Sequence, residues 1–364
     1  MAGLGQWNVP RIPTDVRSLF QLQPAPSRVP IAVQAGIAIG LPIAVLTLFG
    51  QPQLGLIAST GGFLALYLSN RSRRQRAILL PFIGLGLIAS GAIGVAVAWS
   101  TPLSLIALFL LTVIASVILL GFGAGPPGGL FFMLVAGASI RLTAPPELDG
   151  VGLDGGLVIG MLVIGAVLAY AVVMAPLLLP SVRRRDRELH AQGTRMRFDF
   201  SGDTRVILIR LAIASALAVT IAAPLGVHRV YWVLLTVIAI LQNGRRLRLT
   251  ALRGVARVLG TFVGLGLFAL ILHFDPQGLW LALVLALLQF TVELVVVRNY
   301  GLALIFITPL ALLIAAQGDP RDVATITVTR VVDTLLGAGI ALLLLLGALL
   351  VRRYWPSMQR RIAG

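Results

Sequence analysis

Five charged side chains stand well inside long apolar runs: Arg210, Arg257, Glu293, Arg330 and Asp333. A charge at membrane depth costs roughly 2.5–3.5 kcal/mol on insertion scales, so each needs a partner or a task. Arg330 and Asp333 are three residues apart, which on a helix puts both on one face within pairing reach. They fall roughly 12 and 17 Å in from the start of the last apolar run, toward mid-membrane. Such a pair is either a structural clamp or a place where a proton or an anion competes for the partner. Glu293 is a protonatable group or a partner for Arg257 or Arg298. Arg257 and Arg210 lie near span ends and could each extend to the membrane surface. His228, Arg229, Val230, Tyr231 and Trp232 form a polar and aromatic cluster. Its two rings suit either an interfacial anchor or a stacking surface for an aromatic ligand.

The elements that must position these groups are transmembrane helices. Of the 364 residues 58% are hydrophobic and only 12% charged, with a mean hydropathy of +0.97. Soluble domains are closer to one quarter charged. Apolar runs of about twenty residues, the length that spans hydrocarbon, are read at 29–50, 52–69, 77–99, 102–121, 128–143 and 155–180. Six more follow at 205–224, 229–242, 253–273, 278–297, 299–316 and 322–351, the fifth and eighth of the twelve being the shortest. The expected fold is therefore all-α, a bundle of about twelve helices. Its parts are a tail over 1–28, a first half over 29–180, a polar linker over 181–204, a second half over 205–351 and a tail over 352–364.

The halves look like parallel repeats. Each has an Arg-rich loop after its second span, Ser69-Asn70-Arg71 in one and Gln242-Asn243-Gly244-Arg245 in the other. Each third span carries Gly-Leu-Gly-Leu, at 84–87 and at 264–267. Glycines let helices approach closely in lipid, where packing drives association, and these faces make a homodimer plausible. Gly61-Gly62 and the run from Gly123 to Gly129 are expected interruptions, the second an inner loop.

The net charge of +16 comes entirely from arginine, with no lysine present. The arginines cluster in alternate loops, leaving Arg229 and Arg321, with Arg141 near the boundary, on the other side. This bias places both termini in the cytoplasm and the chain in the cell inner membrane; the lipid bilayer, not nucleic acid, accounts for the charge. There is no cysteine, no phosphate loop with its lysine, no metal-ligand spacing and no Gly-x-Ser-x-Gly elbow. No enzyme activity, metal or cofactor is expected. Any pumping would draw on an ion gradient.

The second half carries Tyr231-Trp232-Val233-Leu234-Leu235-Thr236, Gln242, Arg257-Val258-Leu259-Gly260-Thr261, Arg298-Asn299-Tyr300-Gly301 and Arg330-Val331-Val332-Asp333. On these motifs residues 205–350 resemble the fusaric acid resistance/aromatic acid exporter family. The resemblance implies proton-coupled export of aromatic or other organic acids. Under that resemblance Arg257 and Arg330 would attract a carboxylate, Tyr231 and Trp232 would stack on a ring, Thr261 would offer a hydroxyl, and Asp333 or Glu293 would carry the coupling proton. A passive organic-anion channel and a non-transporting membrane scaffold fit the same residues.

Overall fold

In lipid a backbone can satisfy its own polar groups only as a helix or a closed barrel. The computed structural model describes residues 22–125, 127–191, 198–242, 247–315 and 323–362, and among the described residues there is no strand. Most of the expected tail over 1–28, residues 192–197 of the linker and the loop holding Arg321 lie outside the described residues. The first half comprises α1 (Val29–Leu48), α2 (Pro52–Ser59), α3 (Arg73–Val97), α4 (Thr101–Gly121), α5 (Leu130–Thr143) and α6 (Gly155–Met174). After α7 (Pro180–Ala191) come α8 (Gly202–Ala222), α9 (Val227–Leu241), α10 (Leu247–His273), α11 (Gly278–Val295), α12 (Tyr300–Ala315) and α13 (Val323–Ile362).

Helices α1, α3, α4, α6, α8, α10, α11 and α13 are long and apolar enough to cross a membrane. The remaining apolar helices are shorter: Pro52–Leu66, Leu130–Thr143, Val227–Leu241 and Tyr300–Ala315. These are the second and fifth helices of each half. The sequence singles out the fifth and eighth runs as short; the second and eleventh join them. Burial supplies the reason. Every residue from Val230 to Leu241 on α9 is buried, and a helix walled in by protein need not match the thickness of the hydrocarbon.

Glycines set the close crossings, and they do so in parallel fashion in the two halves. Helix α3 packs on α5 where Gly94 meets Ala136 and Ser139; α10 packs on α12 where Gly260 and Gly264 meet Gly301, Leu304 and Thr308. Helix α1 crosses to the second half, seating Gly36 and Gly40 against Ala282 and Ala286 of α11, while α4 makes the matching contact with α8. The expected interruption at Gly61-Gly62 is a tighter-wound continuation of α2 over Thr60–Leu66. A side chain at Gly61 would run into the backbone of α6 at Leu162 and Ala166. Irregular backbone at this depth is enclosed by protein, as lipid demands. The glycine run after α4 is a loop, with Gly123, Gly125 and Gly128 at positive φ.

The expected linker is partly ordered. Asp186 of α7, 3% exposed, accepts the backbone N–H of Arg73 at 2.6 Å and of Arg74 at 3.1 Å. It thereby satisfies donors that the first turn of α3 would otherwise leave open. At the other end the chain stays helical to Ile362, beyond the expected span limit at 351.

Two glycines of α6 give a matched test. A Cβ at Gly165 would overlap the Ala58 carbonyl, whereas nothing lies within 4 Å of one at Gly160. Gly165→Val should therefore destabilise the bundle by about 1–3 kcal/mol or more, read as a lower thermal unfolding midpoint in detergent, while Gly160→Ala should leave the midpoint unchanged. Equal behaviour of the two variants would contradict this packing.

Candidate functional site

Helix α9 is the buried axis of the second half, and its first turn carries the polar cluster seen in the sequence. The Arg229 Nε donates to Asp333 Oδ1 on α13 at 2.9 Å. Asp333 is fully buried, and its Oδ2 accepts no hydrogen bond from the protein. The sequence places Arg330 beside Asp333 and leaves open whether the two pair with each other. They do share a face of α13, but the ion pair crosses between helices, because Arg229 brings its donors from the facing helix. Arg330 reaches instead over the Trp232 ring, with its guanidinium carbon 4.0 Å from the ring centroid. A desolvated contact of this kind contributes about 2 kcal/mol. Arg330 is 2% exposed, and its Nε and Nη1 find no hydrogen-bond acceptor.

The two rings are not interfacial anchors. Tyr231 and Trp232 are 2% and 5% exposed and lie against each other with centroids 4.8 Å apart. Gly137 of α5 makes room for Tyr231, since a Cβ there would strike the ring. Beside them lies a cavity of about 10 Å³ lined by Arg141, His228, Trp232, Thr329 and Arg330, space for about one water.

Further along α13 and α10 the cationic character continues. Arg257 is 3% exposed, so it does not extend to the surface; its Nη1 donates to the Tyr300 hydroxyl at 3.2 Å, and its Nε and Nη2 have no acceptor. One turn before it, Arg253 lies over the Tyr300 ring, 5.5 Å from the centroid. Arg257 and Arg330 are close enough to act on one another electrostatically. One turn beyond Arg257, on the same face of α10, Thr261 is 1% exposed with a hydroxyl that has no partner. Arg141 of α5 in the first half and Arg229, Arg330, Arg257 and Arg253 of the second half thus form a succession of arginines, with Asp333 the carboxylate set among them.

Glu293 does not join this group. Its partner is neither Arg257 nor Arg298 but Arg28, whose Nη2 lies 2.8 Å from Glu293 Oε2 and also donates to Ser69 Oγ at 3.2 Å. Nearby, Arg76 of α3 donates to the Ala65 carbonyl at 2.7 Å and toward Gln34 Oε1 at 3.5 Å. Glu293 therefore belongs to a second polar site, at the seam where α1 meets α11.

Sequence reasoning misses Arg229 as the partner of Asp333, and it misses Arg141 and His228 as cavity walls. One signal was available: Arg141 and Arg229 are two of the three arginines that break the loop bias, and both border the site; the third, Arg321, lies outside the described residues.

Residues 214–344 match the family model described as fusaric acid resistance protein-like. The match lies entirely within the second half. Its matched segment contains Arg229, Tyr231, Trp232, Arg257, Thr261, Glu293, Arg330 and Asp333. The chain is also similar to the uncharacterized membrane protein YvaC of Bacillus subtilis, 23% identical over 92% of this chain and 75% of that protein. The protein YhfK of Escherichia coli is 33% identical over 36% of this chain, a match covering 18% of YhfK. A Synechocystis protein, slr1298, is 32% identical over 37% of this chain and 18% of its own length. No solved structure matches. The chain is an integral multi-pass membrane protein with a fusaric acid resistance protein-like second half.

Breaking the Arg229–Asp333 pair leaves a buried carboxylate uncompensated. Arg229→Gln should cost about 3–5 kcal/mol, and Arg229→Gln combined with Asp333→Asn should recover much of that loss. Thermal unfolding of the single and double variants checks this; losses that simply add would show that the two side chains are not coupled.

Proposed function

We propose that the protein exports organic carboxylic acids, aromatic ones included, across the cell inner membrane in exchange for protons. The observation that carries this reading is the pair of buried arginines, Arg257 and Arg330, whose guanidinium groups keep N–H donors without acceptors. A guanidinium cannot shed its charge, and an unpaired buried cation is strongly unfavourable. A carboxylate answers both needs, since its two oxygens match the guanidinium fork and its charge offsets the cation. The neighbouring Tyr231–Trp232 pair supplies an apolar wall for an aryl ring, and the free Thr261 hydroxyl supplies a polar contact.

Asp333 gives a route to coupling. Ionised, it holds Arg229. Protonated from outside, it would let the emptied site return with the proton, and loss of that proton inside would precede binding of the next anion, so that proton and anion occupy the site in turn. Glu293, held by Arg28 at the α1–α11 seam, could pass a proton at the other polar site in the same way. The loop bias of the arginines supports cytoplasmic termini, which would set α9 and α13 with their starts toward the outer face. The family description, fusaric acid resistance, itself refers to an aromatic carboxylic acid, which favours this substrate class.

Proton movement in proteoliposomes on adding benzoate-like and aliphatic carboxylates tests the reading. The expectation is acid-dependent proton flux in the wild type and its loss in Asp333→Asn. Anion flux without proton movement would make the protein a channel, and absence of flux with every acid would overturn the transport reading.

A further inference from the structure

Outside the site, the strongest concentration of charge is the corner where α7 docks on the start of α3. Asp186 fixes this corner by accepting the backbone N–H groups of Arg73 and Arg74. Asp186 spends its two carboxylate oxygens on these backbone donors and, among the described residues, forms no ion pair with the guanidinium groups that face outward. Arg74 on α3 and Arg183 and Arg184 on α7 are exposed, and Arg73 is half-buried with an unpartnered Nε. The backbone donors of Arg73 and Arg74 are already used by Asp186 and the Arg183 Nε donates to the Leu177 carbonyl, so it is the remaining guanidinium N–H groups of Arg73, Arg74, Arg183 and Arg184 that are open to an anion.

The corner is also juxtamembrane. The apolar stretch Gly155–Leu178 ends just before α7, and the stretch Arg73–Val97 starts at the corner itself. Between α6 and α7, Leu178 and Leu179 are 76% and 57% exposed. Exposed leucines directly beside exposed arginines match a molecule with an acyl chain and an anionic head. Basic pockets at the ends of transmembrane helices have this preference for anionic lipids.

We propose that the α3–α7 corner binds the headgroup of an anionic phospholipid, with Arg73, Arg74, Arg183 and Arg184 around the phosphate and Leu178 and Leu179 against its chains. This site is independent of the carboxylate site in the second half. Each arginine near an anionic membrane surface changes binding by about fivefold.

The chain has no cysteine, so a single Ser181→Cys carries a fluorophore at the corner. The labelled full-length protein is placed in phosphatidylcholine vesicles containing either dibrominated phosphatidylglycerol or dibrominated phosphatidylcholine as quencher. Half-maximal quenching is expected at a several-fold lower fraction of the phosphatidylglycerol quencher. Arg183→Gln with Arg184→Gln should shift that midpoint by roughly 25-fold, whereas Arg205→Gln with Arg248→Gln, exposed arginines elsewhere, should not. Asp186→Asn separates a built corner from bulk charge: it makes the protein more positive yet should weaken the preference by loosening α7 from α3. Equal quenching by the two lipids, a preference unchanged or strengthened in Asp186→Asn, or its removal by millimolar inorganic phosphate would each overturn the proposal.

Discussion

An arginine in a membrane interior has no neutral form to retreat to. It must find a carboxylate, a carbonyl, an aromatic face or a ligand. Much of the polar architecture of this bundle follows from that constraint. Arg28 takes Glu293, Arg229 takes Asp333, Arg76 takes a free carbonyl at Ala65, Arg330 takes the face of Trp232, and Arg257 takes a tyrosine hydroxyl. The first three are answered by oxygens that carry charge or a full peptide dipole. The last two are answered only by a ring and a neutral hydroxyl, and these two define the candidate site.

The repeat explains how such a site can be held in lipid. Long helices meet the hydrocarbon, and two short helices per half sit inside them. Helix α9 is buried from Val230 to Leu241, and the polar groups of its first turn face α13 and the cavity. Glycine crossings bring α10 close to α12 and α13 close to α9, which sets Arg257, Arg330 and Trp232 in one neighbourhood. The first half contributes walls rather than charge compensation: Arg141 at the end of α5 lines the cavity, and Gly137 admits Tyr231.

Helix count, repeat and class were legible because lipid enforces long apolar runs and arginine-rich loops. The second and eleventh helices were read too long because composition does not distinguish a residue facing lipid from one facing protein. The i, i+3 spacing of Arg330 and Asp333 correctly put them on one face, but a local rule cannot supply a partner from another helix. The true partners are remote: 104 residues separate Arg229 from Asp333, and 265 separate Arg28 from Glu293. The aromatic pair was legible as chemistry and not as location, since a Tyr-Trp step looks the same at an interface as in a core.

The central claim is that Arg330 waits for an anion and is not a structural clamp. Thermal unfolding of the wild type and Arg330→Gln across a carboxylate titration tests it directly. If the claim holds, the wild-type midpoint rises with carboxylate concentration, the variant's does not, and without added anion the variant is about as stable as the wild type, because losing the ring contact is offset by removing an unpaired buried cation. A variant that is several degrees less stable, together with a wild type indifferent to carboxylate, would show that Arg330 serves the fold and contradict the account.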